Sequence, residues 1–254
     1  MRNLIIELTN HCNLSCSMCP RHTTNMKLGY MEDWIFFDLL HQVSARDETL
    51  TLIPFWRGEP TLHPEFADWM RVAVELIPRV IIATNGIRQD VWPDEVFFKL
   101  TEISVSIHSE QSLATLDMLL AKRGGFSKPR IQASTVMGYD VPVERIKQLQ
   151  PDIIRTYAPH TINGIYGQTL PAHRPESPRK FCSKLKHDLV ISWDGQVSRC
   201  CHVWQPEPNL NVRTSSLDEV ERRLRSSKIC SEYPDSTCAK CDQWTGFSRG
   251  ERLE

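Results

Sequence analysis

The chain has no charge excess of either sign. Of its 254 residues, 30 are Lys or Arg and 31 are Asp or Glu, a formal net charge of −1. Proteins of nucleic acids or membrane surfaces neutralise phosphates with surplus cations, and none are left over here. No apolar run approaches the ~18–20 residues that cross a bilayer. No apolar h-region follows the first residues, so the sequence predicts a cytoplasmic protein with no membrane and no nucleic-acid partner. Internal repeats and low-complexity tracts are missing too. Cysteine is absent from residues 20–181. That gap matters because the chain carries nine cysteines, at 12, 16, 19, 182, 200, 201, 230, 238 and 241. In a reduced compartment, clustered cysteines bind metal or do redox chemistry more often than they form disulfides. An odd number could not all pair in any case.

Between the two cysteine groups the pattern alternates. Strand-like runs at 4–8, 50–55, 80–83, 103–107, 130–137 and 153–157 are separated by helical spacing at 33–43, 64–77, 93–100, 111–122 and 142–149. Alternation of this kind implies right-handed βαβ units on a parallel sheet. Six strands are fewer than the eight of a closed barrel. The sequence therefore predicts an α/β fold, an open, partial (β/α)6 barrel over residues 1–160. A polar stretch with Pro171, Pro175 and Pro178 reads as a linker over 161–180. Residues 181–254 form a smaller unit. In it, runs at 188–193 and 196–202 flank Asp194-Gly195, the signal of a type I′ hairpin, and a charged helix follows at 216–226.

Cys12, Cys16 and Cys19 lie just after the first strand. Three thiolates on one loop hold three irons of a 4Fe–4S cubane and leave the fourth open to an outside chelator. A zinc site completed by His11 or a distant cysteine is the alternative. With Met18 before the last cysteine, the CxxxCxxC loop resembles that of the radical S-adenosylmethionine (SAM) superfamily. Gly58-Glu59-Pro60 after the second strand resembles the family's GGE motif, with Arg57 in place of the first Gly. Thr84-Asn85-Gly86 resembles a common family turn. Ser104-x-Ser106-x-His108 stands where many members have a Ser-x-Asp segment, with His108 in place of Asp. The resemblance implies that the first group holds a SAM-binding 4Fe–4S cluster. It also implies that Met18, Gly58, Glu59, Pro60, Thr84, Asn85, Ser106 and His108 line the SAM site. Read from the residues alone, Glu59 fits a surface carboxylate, Asn85 a turn former and Ser106 a core hydroxyl.

In the second group, Cys182, Cys200 and the pair Cys238-x-x-Cys241 supply four thiolates. Spacing alone fits zinc as well as iron–sulfur. Cys-x12-Gly-x4-Cys resembles the start of the SPASM extension of radical SAM enzymes. The short remainder resembles its truncated "twitch" form, a β-hairpin plus helix. That resemblance implies a second, auxiliary 4Fe–4S cluster on Cys182, Cys200, Cys238 and Cys241. In length and cysteine layout the chain is similar to the aminocyclitol dehydrogenase branch known from the butirosin pathway.

The chemistry implied is reductive cleavage of SAM to a 5′-deoxyadenosyl radical, which takes a hydrogen atom from a small-molecule substrate. A polyol, sugar or aminocyclitol would be oxidised to a ketone, with the auxiliary cluster accepting the remaining electron and a flavodoxin or ferredoxin-type protein supplying the first. Arg155 matches in placement a suggested proton acceptor of that branch, and a structural ion pair is its other reading. Cys201 and Cys230 are either small hydrophobes or hydrogen-atom donors. The latter role belongs to an alternative, epimerisation. Peptide maturation is a second alternative, set against the expectation that the early first strand leaves no room for a leader-binding domain. A non-catalytic zinc scaffold is the third.

Overall fold

The computed structural model describes residues 2–17, 19, 21, 24–46, 50–136, 140–157 and 182–226. Strands β1 (Asn3–Ile6), β2 (Thr51–Ile53), β3 (Arg79–Thr84), β4 (Glu102–Ser106), β5 (Arg130–Val136) and β6 (Ile153–Tyr157) alternate with helices α1 (Asp33–Ser44), α2 (Phe66–Leu76), α3 (Asp94–Phe97), α4 (Glu110–Arg123) and α5 (Val143–Leu149). They are followed by α6 (Ser183–His187), the hairpin strands β7 (Asp188–Ile191) and β8 (Val197–Ser198), and α7 (Leu217–Ser226). The sheet has eight strands in the order β6-β5-β4-β3-β2-β1-β7-β8. All neighbours are parallel except β7 and β8. The α/β class and the open parallel sheet expected from the alternation are what the chain adopts.

Alternating side chains sort the two faces of the sheet. Leu4, Ile6 and Leu8, then Ile103, Val105 and Ile107, join one apolar core with α1 and α2. Their sequence neighbours Glu7, Ser104 and Ser106 face the other way, into the concave side, where Gln132 and Ser134 of β5 meet Ser104. Helix α2 buries Phe66, Trp69, Met70 and Ala73, one stripe at helical spacing. Helix α4 starts at a capping box, Ser109 with Ser112, and ends with Lys122 and Arg123 against its negative pole.

The structure departs from expectation in three places. β2 stops at Ile53 because Pro54 has no N–H to give the ladder. The hairpin turn is not type I′. Only Gly195 has positive φ, +81°, while the Gly195 N–H donates to Ser192 O at 2.9 Å. This is a type I turn closed by a left-handed glycine, a three-residue loop, Trp193-Asp194-Gly195. The hairpin also does not stand apart, since β7 pairs with β1 from Asn3↔Asp188 to Ile6↔Ile191. The expected linker and the residues beyond 226 lie outside the described ones.

Candidate active site

In a parallel α/β sheet the C-terminal rim carries the ligand sites. Here that rim is organised around the loop from Asn10 to Gly29. Asn10 ties its base: Nδ2 donates to Lys27 O at 2.8 Å and Oδ1 accepts the Gly29 N–H at 2.9 Å. Thr9 Oγ1 adds a bond to Gly29 O at 2.7 Å. Gly29 must lack a side chain, because a Cβ there would lie 2.4 Å from the Trp193 ring.

Cys12, Cys16 and Cys19 sit on this loop, each partly exposed, with the Cys19 N–H bonded to Cys16 O at 2.9 Å. The thiols feel one another. Burial, then Cys19 and Cys12, push the Cys16 thiol up from its ordinary range, and burial with a contribution from Cys12 does the same for Cys19. Among the described residues no three His, Cys, Asp or Glu side chains converge on a single-ion site. His11 is stacked on Tyr30, ring centroids 4.5 Å apart. A donor set of sulfurs alone on one short loop fits an iron–sulfur cluster.

The second-strand turn packs directly under this loop. A Cβ on Gly58 would fall 2.3 Å from Thr9 O and 2.6 Å from His11 O, and the Glu59 N–H donates to His11 O at 2.8 Å. The Glu59 side chain turns inward, 2% exposed. Its Oε1 accepts from Thr61 N at 3.2 Å, Thr61 Oγ1 at 2.6 Å and Thr84 Oγ1 at 2.8 Å, and its Oε2 accepts from Asn85 N at 2.7 Å. Burial pushes its pKa up and these four donors pull it back. Pro60 opens a short 3₁₀ turn, Pro60–Leu62.

Asn85 continues the chain of contacts. Its Nδ2 donates to Asn13 Oδ1 at 2.7 Å and to Cys12 Sγ at 3.7 Å, and its Oδ1 accepts the Ile87 N–H at 3.1 Å. Gly86, at φ +70°, makes the turn possible. Thus Gly58, Glu59, Pro60, Thr84 and Asn85 are brought together beside Cys12. Ser106 lies on the same rim at the end of β4, in register with Ser134, and His108 follows with its N–H on Ser112 Oγ at 3.0 Å and its ring exposed. Arg155 stands on β6 in register with Ser134, its Nη1 3.4 Å from the Tyr157 hydroxyl. It makes no ion pair among the described residues.

Of the second group, Cys182 precedes α6, Cys200 is buried, and Cys201 accepts from Lys184 Nζ at 3.7 Å. Met18, Cys230, Cys238 and Cys241 lie outside the described residues.

Sequence reading missed one feature. Glu7 is fully buried, and Arg57 Nε meets its Oε1 at 2.7 Å. Arg57 Nη1 also reaches Met26 Sδ at 3.4 Å and Trp204 O at 3.3 Å, and the guanidinium lies 3.9 Å from the Trp56 ring centroid. The signal was available: Glu7 is the one charge in the apolar run Leu4–Leu8, and Arg57 is the departure from the GGE pattern. Beside the pair opens a cavity of about 260 Å³ between the cysteine loop, the β2 turn and the hairpin, walled by Trp56, Trp193 and Trp204. Trp69 and Trp92 are core instead.

No protein-family model matches the chain. Among curated proteins it is 30% identical over 129 residues to the tungsten-containing aldehyde ferredoxin oxidoreductase cofactor-modifying protein of Pyrococcus furiosus, covering 48% of this chain and 35% of the relative. It is 30% identical over 146 residues to the sporulation killing factor maturation protein SkfB of Bacillus subtilis, covering 54% and 33%. It thus spans about a third of the length of these two. The GTP 3′,8-cyclase of Chlorobaculum tepidum is 23% identical, over 90% of this chain and 87% of the relative. Among solved structures the fold matches BtrN in complex with AdoMet and 2-DOIA, at TM-score 0.57 and 16% identity over 96% of this chain and 88% of that one. It matches Streptococcus suis SuiB bound to the precursor peptide SuiA at TM-score 0.66 and 12% identity, over 98% and 71%. The chain shares the fold of these solved structures, with the cysteine loop on the first strand's rim.

Proposed function

We propose that the protein is a radical SAM enzyme that abstracts a hydrogen atom from a small hydroxyl-bearing substrate. The observation that carries this is the joining of the three-cysteine loop to the Gly58–Glu59 and Thr84–Asn85 turns on one rim. In this reading Cys12, Cys16 and Cys19 hold the first 4Fe–4S cluster. The backbone of Gly58 to Pro60 holds the SAM amino group, with Met18, Thr84, Asn85, Ser106 and His108 around the rest. Cys182, Cys200, Cys238 and Cys241 hold the auxiliary cluster. When bound, the cluster and SAM supply a 5′-deoxyadenosyl radical, with the reducing electron from a flavodoxin or ferredoxin-type donor.

The chain's own residues do the rest. Glu59, by gathering Thr61, Thr84 and Asn85, keeps the SAM-facing turns rigid. The Trp56, Trp193 and Trp204 walls give flat apolar faces for a ring, and Asp194 and Gln196 at the same cavity offer hydrogen bonds to its hydroxyl or amino groups. Arg155, offered by the resemblance as the residue at the substrate hydroxyl, would as a guanidinium hold that oxygen by hydrogen bonds; the hydroxyl proton would leave to water and the remaining electron would pass to the auxiliary cluster. The product is then a ketone. Cytoplasmic location belongs to this proposal; among the described residues no helix is long and apolar enough to cross a membrane.

A second reading, peptide maturation, is favoured by the fold likeness to SuiB solved with its precursor peptide and by the similarity to SkfB. One experiment separates them. Protein reconstituted without air and reduced with dithionite should form 5′-deoxyadenosine from SAM, and lose that activity in Cys12→Ala. Supplied with aminocyclitols and with peptides, it should turn over the former to a ketone, one deoxyadenosine per product. Turnover of peptides alone establishes the second reading, and absence of SAM cleavage ends both.

A further inference from the structure

We propose that Asn85 is a positioning residue that sets the reduction potential of the cluster on Cys12, Cys16 and Cys19, through an N–H bond to the Cys12 sulfur. The proposal rests on the cluster assignment above and adds a tuning device to it. Hydrogen bonds to cluster sulfurs are one of the protein's levers on reduction potential, because they stabilise the added negative charge of the reduced state.

The geometry fixes the donor. An amide side chain can ordinarily be turned over, exchanging oxygen and nitrogen. At Asn85 the exchange is blocked by the backbone. Oδ1 receives the Ile87 N–H at 3.1 Å, and turned over, the NH2 would face that N–H. Nδ2 then lies 2.7 Å from Asn13 Oδ1, an amide that can itself turn to present its oxygen. One Nδ2 hydrogen is spent on Asn13. The other points to Cys12 Sγ at 3.7 Å, within reach of a sulfur acceptor. The backbone of Asn85 is held in turn by Glu59, whose Oε2 takes its N–H at 2.7 Å. The residue is 8% exposed, so water does not compete freely for the thiolate side of the amide. A buried carboxylate, a fixed amide and a ligand sulfur therefore form one line from β2 through β3 to the cysteine loop.

The test is a redox titration of the full chain, reconstituted without air and without SAM, followed by electron paramagnetic resonance at matched iron content. Asn85→Ala should shift the midpoint of the first cluster to lower potential. Asn85→Asp, which replaces the donor by a charge, should shift it further. A purely structural role for Asn85 would lower thermal stability and leave the midpoint where it is. Unchanged midpoints in both variants overturn the proposal. Should the variants fail to hold iron, Asn13→Asp labelled with 15N in asparagine side-chain amides decides, since it keeps the acceptor for Asn85 and removes the neighbouring amide nitrogen. A 15N coupling to the reduced cluster supports the proposal, and its absence overturns it. A native chain that takes up no iron overturns the functional reading as well, and so is told apart from failure of this step alone.

Discussion

Glu59 receives four hydrogen bonds on two oxygens and has no cation beside it among the described residues. Replacing it by Gln sets an NH2 against a backbone N–H, that of Asn85 or that of Thr61, whichever way the amide turns. Glu59→Gln should therefore lower unfolding free energy by about 1–3 kcal/mol, measured by urea titration. Gly58→Ala should fold but bind less iron, because the new Cβ meets the Thr9 carbonyl that leads into the cysteine loop. His63 supplies a pH signal. Its Nε2 faces Met31 O at 3.2 Å and its Nδ1 accepts from Glu65 N, the pattern of a neutral ring. Burial holds its pKa below the ordinary histidine range. The folded state thus binds fewer protons than the unfolded one, so this stabilisation is complete above the unfolded pKa and is lost as pH falls below it. Melting temperature should drop on acidification from about pH 7 to about pH 5, less steeply in His63→Gln. The motif around Glu59 was legible as a rim feature of the second strand. The direction of its side chain was not, because only the fold brings Thr84 and Asn85, 25 and 26 positions away, over the carboxylate.

At the scale of elements, periodicity found every strand and helix of the barrel, with ends displaced by a few residues. Those ends depend on single interactions that spacing does not encode, such as Pro54 closing β2. The hairpin shows the same limit. Asp194-Gly195 announced a reversal, and the bond from Gly195 N–H to Ser192 O decided its type. Beyond the ladder that joins β1 to β2, Glu7 and Arg57 bridge the segments leaving the two strands, and Arg57 also touches Met26 of the cysteine loop and Trp204 after the hairpin. Breaking a buried pair by removing one partner strands the other charge. Glu7→Leu or Arg57→Met alone should cost about 3–5 kcal/mol, while the two together should cost less than the two singles added. Chemical denaturation of the three variants checks this.

For the whole molecule, iron content is the test of the two-cluster reading. The native chain should hold about eight irons, and Cys182→Ala or Cys200→Ala about four, with deoxyadenosine formation retained and the ketone product lost. The parallel sheet was legible because its alternation is local. The union of the hairpin with β1 was not, since nothing in either segment names the other. That union joins Asn3 to Asp188, 185 positions apart. During synthesis on the ribosome, the first strand therefore emerges with one edge bare and stays so until some 185 further residues have followed it. An open edge invites pairing with other chains, so premature termination anywhere before the hairpin should yield aggregates, and chaperone or metal-delivery factors would have their widest access to the nascent cysteine loop during that same interval.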